Sequence, residues 1–435
     1  MLRHWREKLK KFSSIAVFSS PLIAIICLIH YYAINLPFSD DYALIPILKS
    51  INHGHIPWGL LWAQHNEHRI FFPNVILTIM AKITHWNVTD ILYLSAIIAG
   101  VGFLGMVMII RKHILTSKFT FLAILLSAIV FFSPAQSQNW LWGWQLEWFL
   151  SVTCVIWSIY LIDKIKREEK VYHLILPGLL AFIATFSLAG GFFAWLGGLG
   201  ILLIRKVKLS RVVAWLVATI SSLCLYYYHY SQPKDGFTEG VYRHHMANVI
   251  RYFLAYLGRP TTSNSNAAII VGLSLLILFL MTTGLAIRKN KFLEMSPMIS
   301  LGIISILVGL TIGIARYNFG ITGAMSSVHT TFSIVFTVSV ISLVICTGSS
   351  IKFRKKIYSN LLLLFIIIMF IPLELSSWIS GLADMRSQHQ TSLYIYNCSH
   401  VKNPNKFCLY EVDPLGSRQA AEGLNYLKQQ GYGGY

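Results

Sequence analysis

Two adjacent carboxylates, Asp40 and Asp41, stand directly after the first long apolar segment of the chain. Neighbouring carboxylates at the edge of a membrane repel each other and lose solvation, so the pKa of at least one is expected to rise. A carboxylate with a raised pKa is suited to act as a general base. The alternative is that Ser39 or Asp40 caps a helix that begins near Tyr42, which requires no chemistry.

The next polar motif consists of five consecutive polar or ionisable residues: His65, Asn66, Glu67, His68 and Arg69. Together they offer hydrogen-bond donors, acceptors and a guanidinium that can hold a phosphate through two bonds. We therefore interpret all five as candidates for binding a substrate. A structural turn held by salt bridges is the alternative.

Further along, four tryptophans lie among amides and a carboxylate. Trp140 and Trp148 fit an aromatic belt at a membrane interface. Trp142, Gln145 and Glu147 have a sugar-binding composition, because flat rings stack on the C–H faces of sugars while amides and carboxylates bind hydroxyls. A plain aromatic belt remains the alternative for this segment as well.

Arg316 lies at the end of an apolar segment, without a cluster of Lys or Arg around it. A lone arginine there is either an anchor that extends to the membrane interface or a ligand for an anionic group. A cationic set in residues 231–266 also has two interpretations. It binds either a lipid-linked phosphate or the headgroup of a phospholipid. Its members are Arg243, His244, His245, Arg251 and Arg259.

These motifs stand in a chain of 435 residues, of which 55% are apolar and only 12% are charged, with a mean hydropathy of +0.60. Apolar runs long enough to cross the roughly 30 Å hydrocarbon core recur along its length, and such runs must be helical to satisfy their backbone. The sequence therefore predicts an all-α polytopic membrane protein with about eleven spans. They are 14–36, 90–110, 119–134, 148–162, 173–188, 190–204, 212–230, 267–287, 297–315, 328–347 and 358–376.

The fifth and sixth of these spans share one apolar stretch from His173 to Ile204, which contains four glycines. It is too long for a single crossing, so we predict that it turns back on itself as a tight hairpin.

The distribution of basic residues predicts the orientation of the spans. Of the 36 Lys and Arg residues, 23 lie in the short segments that alternate as cytoplasmic loops. This places the N-terminus in the cytoplasm and residues 37–89 and 377–435 outside, the latter as a small tail on a transmembrane domain of residues 1–376. The net charge of +19 then reflects topology and attraction to anionic lipid, and does not indicate nucleic-acid binding. The first apolar segment is longer than a signal peptide requires, so we expect it to stay attached.

Residues 37–89, here called the first loop, show helical patterning. Apolar residues recur at the spacing of one helical face, which predicts an amphipathic helix lying in the membrane interface and ending at Gly54. A second interfacial helix is predicted from Phe72 to Lys82. The apolar face of the first helix consists of Leu44, Ile47, Leu48 and Ile51.

The six cysteines fall into two groups. Cys27, Cys154, Cys224 and Cys346 lie inside predicted spans and are interpreted as small core residues. The remaining pair, in the tail, lies in a compartment that permits oxidation, so we expect a disulfide, with two free thiols as the alternative. This pair is Cys398 and Cys408. No spacing of His and Cys indicates zinc.

The carboxylate pair after the first span, followed by an amphipathic helix and Gly54, resembles the GT-C superfamily of membrane glycosyltransferases. Residues 65–69 and 140–145 are similar to a bacterial branch that decorates O-antigen and other surface polysaccharides, including serotype-converting glucosyltransferases. The resemblance implies inverting transfer of a sugar from a polyprenyl-phosphate donor of the undecaprenyl type to a periplasmic glycan. It also implies a place in the bacterial inner membrane, with the active site facing the periplasm.

The resemblance further assigns roles to individual residues. Asp40 is the expected general base because its distance to Gly54 matches the family spacing, with Asp41 second. Arg69 and Arg316 are expected to hold the phosphate. His65 and His68 would assist them, and Trp142, Gln145 and Glu147 would orient a sugar. No metal or other cofactor is required, although two adjacent aspartates can hold a divalent cation weakly.

Two other functions remain open. A transporter or flippase for lipid-linked glycans would place charges near the bilayer midplane and often contains internal repeats. Here the span interiors are almost free of charge and the polar residues gather at one edge, which favours an enzyme. A ligase or polymerase that moves a whole glycan is the third possibility.

Overall fold

In the computed structural model the chain is nearly all helical, as the sequence predicts. The structure describes residues 2–113, 117–166, 169–232, 242–350, 356–401, 404, 408 and 417–435. Strands β1, Gln64–His65, and β2, His68–Arg69, form a small antiparallel hairpin.

The α-helices follow one another along the chain, and several are preceded by short 3-10 turns. In chain order they are α1 Leu2–Tyr32, α2 Ile45–Asn52, α3 Trp58–Trp62, α4 Phe71–Ile83, α5 Val88–His113, α6 Ser117–Phe131, α7 Ser137–Leu141, α8 Leu146–Lys164, α9 Ile175–Thr185, α10 Phe193–Ile204, α11 Leu209–Tyr227, α12 Tyr242–Gly258, α13 Ser265–Arg288, α14 Phe292–Arg316, α15 Gly320–Ala324, α16 Thr330–Ser350, α17 Lys356–Ser399 and α18 Ser417–Gln430.

Within the described residues, seven helical stretches are long and apolar enough to cross a membrane. They coincide with predicted spans two to four and seven to ten, so the membrane-type helical architecture is confirmed in outline. The predicted first, fifth and sixth spans correspond to shorter apolar helices, and the predicted eleventh lies within α17. The seven stretches are Val88–Lys112, Phe119–Leu141, Gly143–Lys164, Leu209–Tyr227, Ser265–Arg288, Phe292–Ala324 and Ser327–Thr347.

The glycine-rich stretch does fold as a hairpin of two short helices, α9 and α10, as predicted. Its turn requires glycine, because a Cβ on Gly191 would lie only 2.1 Å from the carbonyl oxygen of Ala184. A Cβ on Gly198 would lie 2.5 Å from the ring of Trp215. The two glycines therefore let the hairpin pack closely against itself and against α11.

The amphipathic helix of the first loop forms as α2 and ends before Gly54, whose φ is +81°. Its predicted place in the membrane interface is wrong, however. Leu44, Ile47 and Leu48 are buried within the protein, so the apolar face is covered by other parts of the chain. The second helix forms as α4 within one residue of its predicted bounds, and it leaves Ile79 exposed on its surface.

Helix α17 continues without a break past residue 376, where the tail was predicted to begin, as far as Ser399. It packs closely on the segment before α7, where a Cβ on Gly381 would lie 2.4 Å from the carbonyl carbon of Pro134. The Gln388 amide donates to the Ser137 hydroxyl at 3.0 Å. The start of the predicted tail is thus a rigid extension of a helix.

The predicted disulfide joins Cys398 to Cys408, with the two Cα atoms 6.0 Å apart. Of the cysteines predicted to lie in the core, Cys154 and Cys346 are buried. Cys27 and Cys224 are exposed on the outer faces of their helices, so for these two the prediction is wrong.

Candidate active site

The acidic pair lies in a 3-10 helix, Ser39–Leu44. The Asp41 carboxylate accepts a hydrogen bond from the backbone N–H of Phe38 at 3.1 Å, so Asp41 caps this helix from within. The sequence suggested Ser39 or Asp40 as the alternative cap of this helix, but the capping group is the carboxylate of Asp41. Asp40 is left half-buried at the surface of the turn, with 30% of its side chain exposed.

The two carboxylates have different electrostatic surroundings. Asp41 is only 2% exposed, and burial raises its pKa to about 7. The charge of Asp40 adds to this rise, while the Phe38 N–H and neighbouring groups of Trp142 and Trp144 oppose it. Asp40 has an ionisable neighbour instead, because its carboxylate lies 3.7 Å from the Nε2 of His65. The two adjacent aspartates thus differ. Asp41 is a buried cap, and Asp40 is a more accessible carboxylate.

The hairpin of β1 and β2 carries the second polar motif. Asn66 forms its tip with a φ of +50°, a left-handed conformation that asparagine adopts more readily than most residues. The Gln64 side chain anchors the hairpin to the chain that follows α11, since it donates to the Ser231 carbonyl at 2.6 Å and accepts from the Ser231 N–H at 3.0 Å. The tip of the hairpin is held in place by these bonds, while the Asn66 side chain stays exposed.

Arg69 was predicted to hold a phosphate, but its guanidinium is already bound to protein. The side chain is 3% exposed and donates to the carbonyls of Trp62 at 2.9 Å, Tyr226 at 2.5 Å and Tyr228. These bonds fasten the hairpin to the end of α11. In this conformation Arg69 supports the site without facing it.

Arg316, the other predicted phosphate ligand, is half-buried at the end of α14. Its guanidinium lies 3.1 Å from the Glu67 carboxylate, so the pair joins the hairpin to α14. Burial opposes the charge of Glu67, yet His68 and Arg316 outweigh it and lower the pKa of this carboxyl. With 34% of its side chain exposed, Arg316 keeps part of its guanidinium accessible.

The two histidines of the hairpin are held neutral. His68 accepts a hydrogen bond at Nδ1 from the Ala189 N–H at 3.4 Å, so a neutral ring carries its proton on Nε2. Burial lowers the pKa of His68 to about 4. Burial also lowers the pKa of His65, although Asp40 and Glu67 act in the other direction. His68 is therefore a neutral hydrogen-bond donor at neutral pH.

A cavity of about 290 Å³ opens beside the hairpin. Besides Thr311, four polar side chains lie in its wall: Glu67, His68, Arg316 and His329. The rest of the wall is aromatic and aliphatic, with three tyrosines from the end of α11 and the residues that follow it. These are Tyr226, Tyr227 and Tyr230. The cavity thus combines ionisable groups with a largely apolar wall.

The tryptophan segment lies inside the protein. Trp140 is fully buried and Trp148 is 5% exposed, so the predicted aromatic belt is wrong for both. The Trp140 indole N–H donates to the Ser133 carbonyl at 3.1 Å. Trp142 stacks on Phe38 with ring centres 5.1 Å apart, which joins this segment to the acidic turn.

Several buried polar atoms in this region have no hydrogen-bond partner within the described part of the chain, and we single out four of them. They are Oε1 of Gln145, Oε2 of Glu147, Nε1 of Trp148 and Nδ1 of His329. Buried polar atoms in native proteins are nearly always paired, and exceptions often mark sites that bind a ligand or water. Trp148 and His329 also contact each other, with ring centres 5.6 Å apart, and both line the cavity.

His329 and the three tyrosines were missed by the sequence reasoning. His329 stands at the start of the tenth predicted span as a lone histidine, and the tyrosines stand at the end of the seventh. Both positions are also those of ordinary interface residues. Only the convergence of α11, α14 and α16 on one cavity distinguishes them.

Of the cationic set in residues 231–266, the three members whose side chains the structure describes are not brought together as a phosphate site. Arg259 is buried, donates to the Met325 carbonyl at 2.8 Å and lies 3.5 Å from Asp384. His245 and Arg251 are exposed on α12. The side chains of the remaining two, Arg243 and His244, lie outside the described residues.

The described residues contain no group of three or more His, Cys, Asp or Glu that could hold a metal ion. No protein-family model matches the chain. A search of curated proteins likewise finds none that is significantly similar to it.

Proposed function

We propose that this protein is an inverting glycosyltransferase of the GT-C type that transfers a sugar from a polyprenyl-phosphate donor to a glycan acceptor. One observation carries the proposal: a cavity whose wall is largely aromatic and aliphatic also contains Arg316, two histidines and the Glu67 carboxylate that pairs with Arg316. Such a cavity suits an amphiphile with an anionic head, because the charged head and the hydrocarbon chain each find matching surroundings.

The phosphate of the donor is assigned to Arg316, assisted by His68. The accessible part of the Arg316 guanidinium supplies charge-assisted hydrogen bonds. His68 adds a neutral N–H donor, and the unpartnered indole N–H of Trp148 is a third. Arg69 is left out of this set because its guanidinium is bound to three backbone carbonyls.

Asp40 is assigned as the general base. Its carboxylate takes the proton of the acceptor hydroxyl while that oxygen forms a bond to the anomeric carbon of the donor sugar. The bond from the anomeric carbon to the phosphate oxygen breaks, and the lipid phosphate leaves, stabilised by Arg316. Asp41, with a pKa of about 7, is partly protonated at neutral pH and therefore repels the Asp40 charge less.

The sugar is assigned to the space beside the acidic turn. Gln145 and Glu147 contribute unpartnered oxygens that can accept hydrogen bonds from sugar hydroxyls. Trp142 fixes the turn by stacking on Phe38. Asn66, exposed at the hairpin tip, is a candidate contact for the acceptor glycan.

Transfer by purified protein in liposomes, with a polyprenyl-phosphate sugar as donor, tests this function. We expect Asp40→Asn to fold, because asparagine keeps the shape of the side chain, and to lose roughly 10²- to 10⁴-fold in turnover. Donor binding should persist. Asp41→Asn is the matched variant and should lose less. Near-normal transfer by both variants would exclude the carboxylates as catalytic groups.

The same liposomes distinguish the other functions. Movement of a lipid-linked glycan across the bilayer without a new glycosidic bond would indicate a transporter or flippase. A product larger by a whole glycan, measured by mass spectrometry, would indicate a ligase or polymerase. Addition of a single sugar is the outcome that we expect.

We further propose that the site faces the periplasm of the bacterial inner membrane, with the N-terminus in the cytoplasm. The bias of basic residues toward alternate loops supports this orientation. A cysteine introduced at the exposed position of Asn425 should react with a membrane-impermeant thiol reagent in spheroplasts that still contain intact inner membranes. The background reaction of Cys27 and Cys224 is removed by Cys→Ala changes. Labelling only after the membrane is opened would show that the orientation is the reverse of the one proposed.

A further inference from the structure

The far end of the chain packs directly on the acidic turn. A Cβ on Gly423, in α18, would lie 2.4 Å from the ring of Tyr42, and a Cβ on Gly433 would lie 2.3 Å from Cδ of Pro37. Tyr42 and Pro37 bracket the two carboxylates in the sequence. Glycines at both contact points let the backbone approach to a distance that any side chain would prevent.

Hydrogen bonds hold this end of the chain against the first loop. The Asn52 amide donates to the Tyr426 hydroxyl at 3.0 Å and to Oε1 of Gln430 at 3.1 Å. The Gly433 N–H donates to the His85 carbonyl at 3.1 Å. These contacts involve the end of α2 and the turn before α5, so residues 417–435 hold both ends of the first loop.

The disulfide lies where this covering segment meets α17. His400, two residues after Cys398, stacks on the Tyr435 ring with centres 4.5 Å apart. The Tyr435 hydroxyl donates to Oγ of Ser399 at 2.7 Å. Because Cys408 is bonded to Cys398, the disulfide fixes the residues on which Tyr435 docks.

We propose that residues 417–435, fastened at the Cys398–Cys408 disulfide, form a C-terminal clamp that positions the Asp40–Asp41 turn, and that reduction of the disulfide loosens it. A dithiol reductant supplies two electrons and two protons, converting the disulfide to two thiols while it becomes a disulfide itself. The clamp acts through Pro37 and Tyr42 and touches no reacting group. Its effect on transfer rests on the proposed function, whereas its effect on the turn does not.

Hydrogen exchange measured by mass spectrometry on the full-length protein in detergent tests the clamp without any substrate. Gly423→Leu should force α18 away from Tyr42 and raise exchange in residues 37–52 by about tenfold or more, because local opening sets the exchange rate. Cys398→Ser combined with Cys408→Ser, and dithiothreitol on the unchanged protein, should do the same to a smaller extent. Gln429→Ala, at an exposed position of the same helix, is the matched control and should change nothing.

Unchanged exchange in residues 37–52 after both reduction and the double cysteine change would overturn the clamp, whether or not Gly423→Leu folds. Where transfer is measured, loosening should lower kcat by about tenfold and leave KM for the lipid donor nearly unchanged, since Arg316 and His68 lie outside the clamp. Faster exchange with an unchanged kcat would overturn the positioning role. Absence of transfer in the unchanged protein would reject the proposed function alone, because the exchange experiment still decides the clamp.

Discussion

Helix α8 has a buried carboxylate at each end, and the two differ in how they are satisfied. At its far end, Asp163 has a fully buried side chain that bonds to Lys112 at 2.5 Å and to Arg205. At its start, Glu147 is 6% exposed, and its Oε2 has no hydrogen-bond partner among the described residues. The same helix thus contains one carboxylate with two cations and one with an unused oxygen.

This difference in pairing distinguishes polar groups that stabilise the fold from polar groups that are available to bind a ligand. A buried carboxylate between two cations is neutralised, and removing it would leave positive charges without compensation. An unpartnered buried oxygen stabilises nothing by itself, so its presence is best explained by a ligand that binds there. The cavity end of the molecule collects such groups, whereas at the other end both oxygens of the Asp163 carboxylate have a cationic partner.

Asp163→Ala is expected to have the largest effect of the substitutions at these two carboxylates. We expect a loss of about 3 kcal/mol in stability, at the lower end for a broken buried pair because Lys112 is partly exposed. Transfer per folded molecule should be unchanged. Thermal unfolding in detergent measures the loss. Glu147→Gln is the matched variant and should unfold within about 0.5 kcal/mol of the unchanged protein, so an equal loss in both would remove the distinction.

Two arginines extend the comparison to the site. Arg316→Ala should weaken donor binding by about tenfold to a hundredfold, the range for a lost hydrogen bond to a charged group, with little change in melting temperature. Arg69→Ala should instead cost about 2 kcal/mol of stability, because three backbone carbonyls lose their donor. Isothermal calorimetry and thermal unfolding on both variants measure the two effects. The reverse pattern would make Arg69 the phosphate ligand.

Stability should depend on pH in opposite ways through Asp41 and His68. The pKa of Asp41 is raised by burial from 3.8 to about 7, so between these values the folded protein keeps a proton that the unfolded chain releases. Stability therefore falls as the pH rises through that window. The pKa of His68 is lowered by burial from 6.5 to about 4, so here the unfolded chain holds the extra proton. Stability therefore falls as the pH drops through that window.

Melting temperatures between pH 4 and pH 7 check both directions. Relative to the unchanged protein, Asp41→Asn should gain most at pH 7, and His68→Gln should gain most at pH 4. The difference from the unchanged protein isolates each group from the other titrating residues. Two variant curves parallel to the original would show that neither group has a shifted pKa.

The smallest effect is expected for Trp148→Phe, which keeps an aromatic ring and removes one unpartnered N–H. Stability should fall by about 1 kcal/mol, because the smaller ring leaves a space at a buried position. Donor affinity should fall by about fivefold, the equivalent of one hydrogen bond. Trp140→Phe is the control, because its N–H is already bonded to Ser133. That variant should lose about 2 kcal/mol of stability, from the lost volume and the broken hydrogen bond together, and no affinity.

Much of the helical arrangement was predictable from the sequence, because the length of an apolar run sets what a helix can cross. The stretch from His173 to Ile204 shows this, since length and glycines alone predicted its hairpin. The apolar face of α2 shows the limit. Its spacing predicts a buried stripe equally well against lipid or protein, and only the folded structure, in which Leu44, Ile47 and Leu48 are buried within the protein, decides between them.

Of the residues predicted for the site, Glu67, His68 and Arg316 line the cavity, but the division of roles among the arginines and histidines was not predictable. Arg69 and Arg316 are the same residue type, and their difference comes from carbonyls contributed by α3 and α11. His329 joins the cavity only because α16 begins beside α14. Such roles depend on contacts between distant parts of the chain, and no local spacing encodes them.

The clamp over the acidic turn also affects how the protein is made. Pro37 and Tyr42 leave the ribosome far ahead of the glycines that later pack against them, Gly433 and Gly423. At roughly 5–20 residues per second, synthesis of the intervening chain takes about 20–80 s. Through that interval the turn has emerged with its apolar neighbours uncovered. A nascent chain therefore acquires its covered acidic turn only when residues 417–435 have been made and docked.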